Sequence, residues 1–171
     1  MKKITITFLT ALAVLTTGHV WAQDQNIVGV AAGNENFSTL VTAVKAADLV
    51  ATLSSDGPFT VFAPVNDAFA ALPEGTVASL LEPANKSTLT GILTYHVLAG
   101  KYMAADVIAA VKANNGSFDV TTVQGGTITL SLADNKVMLT DEKGNMATVA
   151  IADVPASNGV IHAIDTVVMP E

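Results

Sequence analysis

The sequence contains no cysteine and no arginine. Without cysteine, no disulfide bond can stabilise the fold, and neither a thiol nucleophile nor a lipidated cysteine anchor is available. Without arginine, no guanidinium group can bind a phosphate or a carboxylate through two parallel hydrogen bonds. The domain must therefore be stabilised by packing, for which it has a composition of 50% hydrophobic residues.

Positive charge is also scarce. Without its first 22 residues the chain has six lysines and fifteen acids, so its formal charge is 6 − 15 = −9. Proteins that bind nucleic acids or anionic lipids take much of their affinity from lysine and arginine. This balance excludes a function that depends on a basic patch, and we expect no nucleic-acid partner.

The first 22 residues have the pattern of a secretory signal peptide. Two lysines precede an apolar core, Ile4 to Leu15, and the small-residue cleavage pattern Val20-Trp21-Ala22 follows. The apolar core is too short for a transmembrane helix, which needs about 20 residues. We expect residues 1–22 to be removed and residues 23–171 to form one secreted domain, periplasmic or extracellular, without membrane insertion after cleavage.

Helical periodicity dominates the chain up to residue 116, and a period of two follows it. We predict helices over residues 38–48, 68–72, 77–81, from about 87 through YHVLAG, and 104–113, with a short piece at 49–53. We predict strands over residues 59–63, 118–122, 128–132, 137–139, 149–151 and 160–168. Helices followed by a β-meander indicate an α+β fold with an antiparallel sheet.

The segment FTVFAPVNDAF, residues 59–69, changes from a strand to a helix within a few residues. Apolar residues at both alternating positions, from Phe59 onward, predict a strand that is covered on both faces. Pro64 has no N–H group and is predicted to end the strand pairing. Asn66 or Asp67 is predicted to cap the next helix by accepting from its first amides. A ligand or metal site at these two residues is the less favoured alternative.

Three segments together resemble the fasciclin domain family. They are FTVFAPVNDAF at 59–69, LTYHVLAG at 93–100 and NGVIHAIDTVVMP at 158–170, and they are similar in order and spacing to its two homology boxes and central Tyr-His motif. The resemblance covers about residues 26–170. It implies a wedge-shaped antiparallel β-sandwich flanked by several α-helices, in secreted or surface proteins associated with adhesion. It also implies that Asn158, Gly159, His162 and Asp165 belong to a structural motif.

Tyr95 and His96 are the candidate partner-binding residues. In animal fasciclin domains, a Tyr-His pair with apolar flanks has been proposed to bind integrins, and Leu93, Val97 and Leu98 supply such flanks here. A structural role fits the pair better: a core tyrosine with a bonded hydroxyl, and a buried or half-buried histidine. Both interpretations stay open, and they differ in whether the pair is exposed.

The sequence offers little for catalysis or for metal binding. His162 is predicted to share a strand face with Val160 and Ile164, while Asp165 points to the other face, so His162 and Asp165 do not form a pair. No zinc-binding spacing, nucleophile elbow or phosphate-binding glycine loop is present. We expect no metal, no cofactor and no enzyme activity, although a Ser/His/Asp arrangement assembled from distant segments stays open.

Two classes of function remain. The first is a monomeric, non-catalytic adhesion or matrix-interaction module, whose partner is an unknown surface or matrix protein or glycan. The second is an exported binding protein for a small apolar ligand, which its hydrophobic composition favours. The second class predicts an enclosed apolar pocket, whereas the first predicts an exposed patch near Tyr95 and Tyr102.

Overall fold

The computed structural model describes residues 25–170, so the predicted signal peptide lies outside the described residues. In this part of the chain no helix is long and apolar enough to cross a membrane. Its α-helices are α1 (Ile27–Ala32), α2 (Ser38–Ala46), α3 (Val50–Leu53), α4 (Asn66–Ala70), α5 (Thr76–Leu80), α6 (Lys86–Tyr95) and α7 (Ala104–Ala113). Short 3₁₀ turns, Glu35–Phe37 and Pro83–Asn85, precede α2 and α6.

The strands form one seven-stranded sheet in the order β2-β1-β7-β6-β5-β4-β3. Their bounds are β1 (Phe59–Pro64), β2 (Val97–Ala99), β3 (Ser117–Thr121), β4 (Thr127–Ala133), β5 (Lys136–Thr140), β6 (Met146–Ala156) and β7 (Gly159–Ile164). The two ends of the sheet meet, because Leu98 bridges to Thr122 and the Val123 N–H donates to the Val97 carbonyl oxygen over 2.8 Å. The sheet therefore closes on itself into a barrel-like sandwich.

Two apolar clusters lie on opposite sides of the central strands β1 and β7. Outside the closed sheet, helices α1 to α3 and α6 pack on Val61, Ala63 and Ile161. Inside it, Phe62 and Ile164 contact the meander strands β3 to β6 and helix α7. The prediction that β1 is covered on both faces is thus confirmed, since every residue of β1 after Phe59 is buried.

The predicted α+β sandwich with flanking helices agrees with this architecture, with one difference in strand direction. Consecutive strands from β3 to β7 pair in antiparallel orientation, and β1 and β2 do the same. In contrast, β1 pairs with β7 in parallel register, from Phe59↔Gly159 to Pro64↔Ile164. A parallel pair is normally covered on both sides. This explains why the segment from Phe59 to Pro64 lacks a polar face.

The structure corrects two element boundaries. Helix α6 ends at Tyr95 rather than running through YHVLAG, because Val97 to Ala99 form β2 and the Phe62 N–H donates to the His96 carbonyl oxygen over 2.9 Å. The last strand stops at Ile164 instead of Val168. The Asp165 side chain accepts from the Thr148 N–H over 2.8 Å, where a ladder bond would otherwise continue. Helix α1 was not predicted from the sequence.

Candidate functional site

Tyr95, the last residue of α6, joins three parts of the fold. Its side chain is 0% exposed. Its hydroxyl donates to the Thr127 carbonyl oxygen over 2.6 Å and accepts from the Glu142 N–H over 3.3 Å. Burial raises the pKa of Tyr95 to about 12. The neutral phenol therefore fastens α6 to the start of β4 and to the turn between β5 and β6.

His96 is 2% exposed, and both of its ring nitrogens are bonded inside the domain. Nε2 lies 3.3 Å from the Val168 backbone nitrogen, which can only donate, so Nε2 is the acceptor. The proton is therefore on Nδ1, which donates to the Ile92 carbonyl oxygen over 2.8 Å. Burial lowers the pKa of His96 to about 4, although the bond to Ile92 and the charge of Asp141 act in the opposite direction. His96 is thus a neutral imidazole at pH 7.

The exposed Tyr-His pair that a partner-binding role requires is not what the structure shows. Tyr95 and His96 are both buried, and their polar atoms are all bonded to backbone groups of the same domain. The structural interpretation of the pair explains these contacts. A direct role of the pair in binding stays a prediction that would need the domain to open.

Asp141 is a structural centre that the sequence did not single out. It is 5% exposed and accepts four hydrogen bonds of 2.8 to 3.0 Å: from the Lys143 and Asn145 backbones, the Asn145 amide side chain, and the Met169 N–H. The position of an aspartate at the first residue of the turn DEKGN is the signal that could have found it. Asp141 and His96 together hold the adjacent amides of Met169 and Val168.

His162 lies in β7 and is buried inside the closed sheet, 2% exposed. Nε2 donates to the Tyr102 carbonyl oxygen over 2.8 Å, and Nδ1 accepts from the Asp153 N–H over 3.2 Å. Asp153 sits at an irregularity of β6, and its carboxylate accepts from the Ala104 N–H at the start of α7 over 2.8 Å. Asp165 lies apart from His162, on the exposed side, and binds Thr148 and Thr166.

The capping prediction at the strand-to-helix junction was wrong for both residues. Helix α4 begins at Asn66 after Val65, and no side chain caps it. The Asn66 side chain turns instead to α2, where its oxygen accepts from the Thr39 N–H over 3.1 Å and its amide donates to the Glu35 carbonyl oxygen over 2.8 Å. Asp67 is exposed in the first turn of α4. Asn66 therefore caps a different helix from the one that it begins.

Asn158 and Gly159 fasten the other end of β1. The Asn158 side chain accepts from the Ile27 N–H over 2.9 Å and donates to the Leu53 and Ser55 carbonyl oxygens over 2.8 and 2.9 Å. Gly159 packs directly on the Phe59 backbone, and a Cβ at this position would overlap the Phe59 carbonyl oxygen. This close approach is why a glycine is needed at the start of β7.

Pro64 is the last residue of β1, but it does not end the pairing with β7. The next amide, that of Val65, still donates to the Ile164 carbonyl oxygen over 3.1 Å. Pro64 can occupy this strand because pairing with β2 reaches only from Phe59 to Val61. The proline therefore sits where no neighbouring strand needs its missing N–H group.

An internal apolar cavity of about 20 Å³ lies between α1, α2, α6 and the central strands. Pockets that bind small molecules are usually about 300–1,000 Å³. This cavity is therefore too small to be the enclosed pocket that a small apolar ligand requires. Within residues 25–170, no group of three or more histidine, aspartate or glutamate side chains is arranged to hold a metal ion.

An open groove of about 390 Å³ is the larger concave feature near the Tyr-His segment. It is lined by helices α5 and α6, the β3–β4 turn, the β5–β6 turn and the C-terminal segment. Its lining residues are Thr76, Leu80, Thr88, Gly91, Ile92, Gln124, Lys143, Met169 and Pro170. We call this feature the α6 groove.

Comparison with known proteins identifies the family. The chain is 60% identical over 144 residues to the Synechocystis protein sll1483, covering 84% of this chain and 73% of that protein. It is 35% identical over 159 residues to the cell surface glycolipoprotein MPB83 of Mycobacterium bovis, covering 90% of this chain and 64% of that one. A solved FAS1 domain pair from the insect cell adhesion molecule Fasciclin I matches the fold with a TM-score of 0.75 at 18% identity, over 85% of this chain and 51% of that one.

The family model agrees with these relatives and with the fold. The fasciclin domain model matches residues 35–170, which include the FTVFAPVNDAF, LTYHVLAG and NGVIHAIDTVVMP segments. The α+β sandwich that the resemblance implied is therefore confirmed. The chain belongs to the fasciclin domain family.

Proposed function

We propose that the chain is an exported, non-catalytic module that binds a component of a cell surface or extracellular matrix. The observation that carries this proposal is that the buried polar side chains are all hydrogen-bonded within the domain. Both histidines of the described chain have both ring nitrogens bonded to backbone groups, and no buried side-chain nitrogen or oxygen in residues 25–170 lacks a partner. Because the buried polar groups are all engaged within the domain, we infer that a binding partner contacts the protein at its surface.

Known members of the family support the same class of function. The family includes a cell surface glycolipoprotein and a cell adhesion molecule. The formal charge of −9 after residue 22 favours a soluble, monomeric domain through mutual repulsion. A surface or matrix protein, or a glycan, is the partner that fits this reasoning.

The alternative of a small apolar ligand receives less support. The internal cavity of about 20 Å³ has room for roughly one water molecule, far below the volume of a ligand pocket. Catalysis receives less support as well, because a general base must be free to take a proton, and His96 and His162 are both engaged.

The proposal is tested by a retention assay. Fluorescently labelled residues 23–171 are incubated with the producing cells and with their extracellular material, and the bound fraction is measured against concentration. We expect saturable binding that unlabelled domain displaces. A soluble acidic protein of similar size and charge is the control, and retention no greater than that of the control would show that the domain is not a surface-interaction module.

A further inference from the structure

The α6 groove contains a glycine that the fold itself does not require. Gly91 lies inside α6, where glycine is unfavourable relative to alanine because its backbone loses more freedom on folding. A Cβ placed at Gly91 meets no atom within 4 Å, and the backbone there is not left-handed. Neither packing nor conformation therefore explains the glycine. It leaves the α6 backbone uncovered where it lines the groove, so that another molecule can approach this backbone closely.

The groove has the composition of a recognition site. Ile92, Leu80 and Met169 give it an apolar surface, while Thr76, Thr88 and Gln124 supply hydroxyl and amide groups. Thr90 and Thr94, on the same helix, donate their hydroxyls to the Lys86 and Thr90 carbonyl oxygens. Among residues 25–170 the Thr88 hydroxyl makes no such bond, so its donor is available to a bound molecule.

Among the described residues that line the groove, one is charged, and it is a cation. Lys143 is exposed, and its ammonium has no carboxylate partner among residues 25–170, where the ion pair is that of Lys86 with Asp48. The acid next to it, Glu142, is exposed and accepts from the Thr127 N–H over 2.9 Å. In a domain with far more acids than lysines, an exposed lysine in a groove is complementary to a carboxylate.

We propose that the α6 groove binds an extended segment of a partner protein that carries a carboxylate beside an apolar side chain. The carboxylate lies at Lys143, the apolar side chain packs against Ile92 and Met169, and the peptide backbone crosses above Gly91. This inference rests on the proposed function, since it names the surface through which the module meets a protein partner.

An extended peptide fits the groove better than the other occupants. The groove is open to solvent, whereas small-molecule pockets usually enclose most of their ligand. A second copy of this acidic chain would bring like charges together over most of its surface. In an extended peptide, alternate side chains point to opposite faces, so one residue can reach the apolar surface while its neighbour reaches the rim.

The test is a selection from a random heptapeptide library displayed on phage, with purified residues 23–171 as bait. We expect the recovered peptides to be enriched in aspartate or glutamate beside apolar residues. The Gly91→Trp variant fills the groove and should lower binding of these peptides at least about tenfold. The matched control is Ala109→Trp, which adds the same bulk to an exposed position of α7 that does not line the groove.

A second test of the peptide-binding proposal reverses the charge of Lys143. Lys143→Glu should lower binding of the acidic peptides about tenfold and, in a repeated selection, enrich lysine-containing ones. Lys136→Glu, at an exposed hairpin residue outside the groove, should change neither result. Recovery of no peptide, of peptides without acidic enrichment, or of peptides indifferent to Gly91→Trp and Lys143→Glu overturns the proposal.

Stability and the other occupants complete the experiment. Gly91→Ala should raise the melting temperature by about 2–4 °C, because the helix gains while no neighbour is displaced. A lowered melting temperature would show that the fold needs the glycine and would overturn the argument.

Self-association that Gly91→Trp abolishes would assign the groove to a second copy. Displacement of every peptide by dodecanoate would assign it to small amphiphiles instead.

The retention assay separates this proposal from the function on which it rests. If wild-type protein is retained by cells and both groove variants are retained equally, the α6 groove is not the binding surface and the proposed function stands. If wild-type protein is not retained but the acidic peptides still bind in a Gly91-dependent way, the groove stands and the surface-interaction function fails.

Discussion

His96 ties the stability of the domain to pH. Burial depresses its pKa from 6.5 to about 4, so the unfolded chain takes up a proton in this range before the folded one does. Stability is therefore unaffected by His96 above about pH 6.5 and falls as the pH drops towards 4. We expect the free energy of unfolding to fall by about 3 kcal/mol between pH 6.5 and pH 4 because of His96, as measured by urea denaturation.

The total effect of pH on stability includes every group that binds protons, so the contribution of His96 is isolated with a variant. His96→Gln keeps a donor and an acceptor but cannot take up a proton. The difference in unfolding free energy between wild type and His96→Gln should change by most of the expected amount between pH 7 and pH 4. Parallel pH profiles for the two proteins would show that His96 is not buried in its neutral form.

Tyr95 should stabilise the fold both through the burial of its ring and through the hydrogen bonds of its hydroxyl. Tyr95→Ala removes a fully buried aromatic side chain and should cost about 3–5 kcal/mol. Tyr95→Phe keeps the ring but leaves the Thr127 carbonyl and the Glu142 N–H without their partner, and should cost about 1–3 kcal/mol. The control is Tyr102→Phe, at a half-buried position, and both costs are measured by chemical denaturation. Wild-type stability of Tyr95→Ala would mean that the side chain is exposed after all.

Burial of Tyr95 could be expected from the sequence, but its bonding partners could not. The residue follows Leu89, Ile92 and Leu93 on an apolar helix, which favours an internal position. Its acceptor and donor, Thr127 and Glu142, are 32 and 47 residues further along the chain. Such contacts depend on how the meander folds back over α6, and no local pattern records that.

At the scale of elements, Asn66 joins α2 to α4. Asn66→Ala removes the cap of the Thr39 N–H and the bond to Glu35, and should cost about 0.5–2 kcal/mol in a thermal or urea melt. Asp67→Ala is the matched control, because its exposed carboxylate should contribute within about 0.5 kcal/mol. A loss of about 0.5–2 kcal/mol in Asp67→Ala would instead favour the original prediction, in which Asn66 or Asp67 caps α4.

The elements themselves were largely predictable, while their ends depended on partners. Helix α7 begins at Ala104 and ends at Ala113, as its apolar spacing and the following Asn-Asn-Gly indicated. In contrast, Val97 continues the apolar pattern of α6 but belongs to β2, because the open edge of β1 supplies ladder bonds there. Asn66 was recognised as a capping residue, but only the tertiary fold selects the helix that it caps.

At the scale of the whole molecule, β7 holds the sheet together. It lies between β1 and β6 and is buried along its whole length, from Gly159 to Ile164. A chain that stops at Ser157 should therefore lose its cooperative unfolding transition, monitored by circular dichroism, although β3 to β5 are still present. Removal of Glu171 alone is the control and should leave the transition intact. A cooperative transition in the shorter chain would show that β1 and β6 can close the sheet without β7.

The central position of β7 also bears on when the chain can fold. β1 precedes its partner β7 by about a hundred residues, and contacts at such separation form late because a long loop must close first. During synthesis, β1 and its antiparallel partner β2 emerge well before β7, so the parallel side of β1 stays unpaired until almost the last residues are made. A chain built in this way cannot complete its central sheet until its last residues are available, and the export that we propose would require such an unfolded chain for translocation.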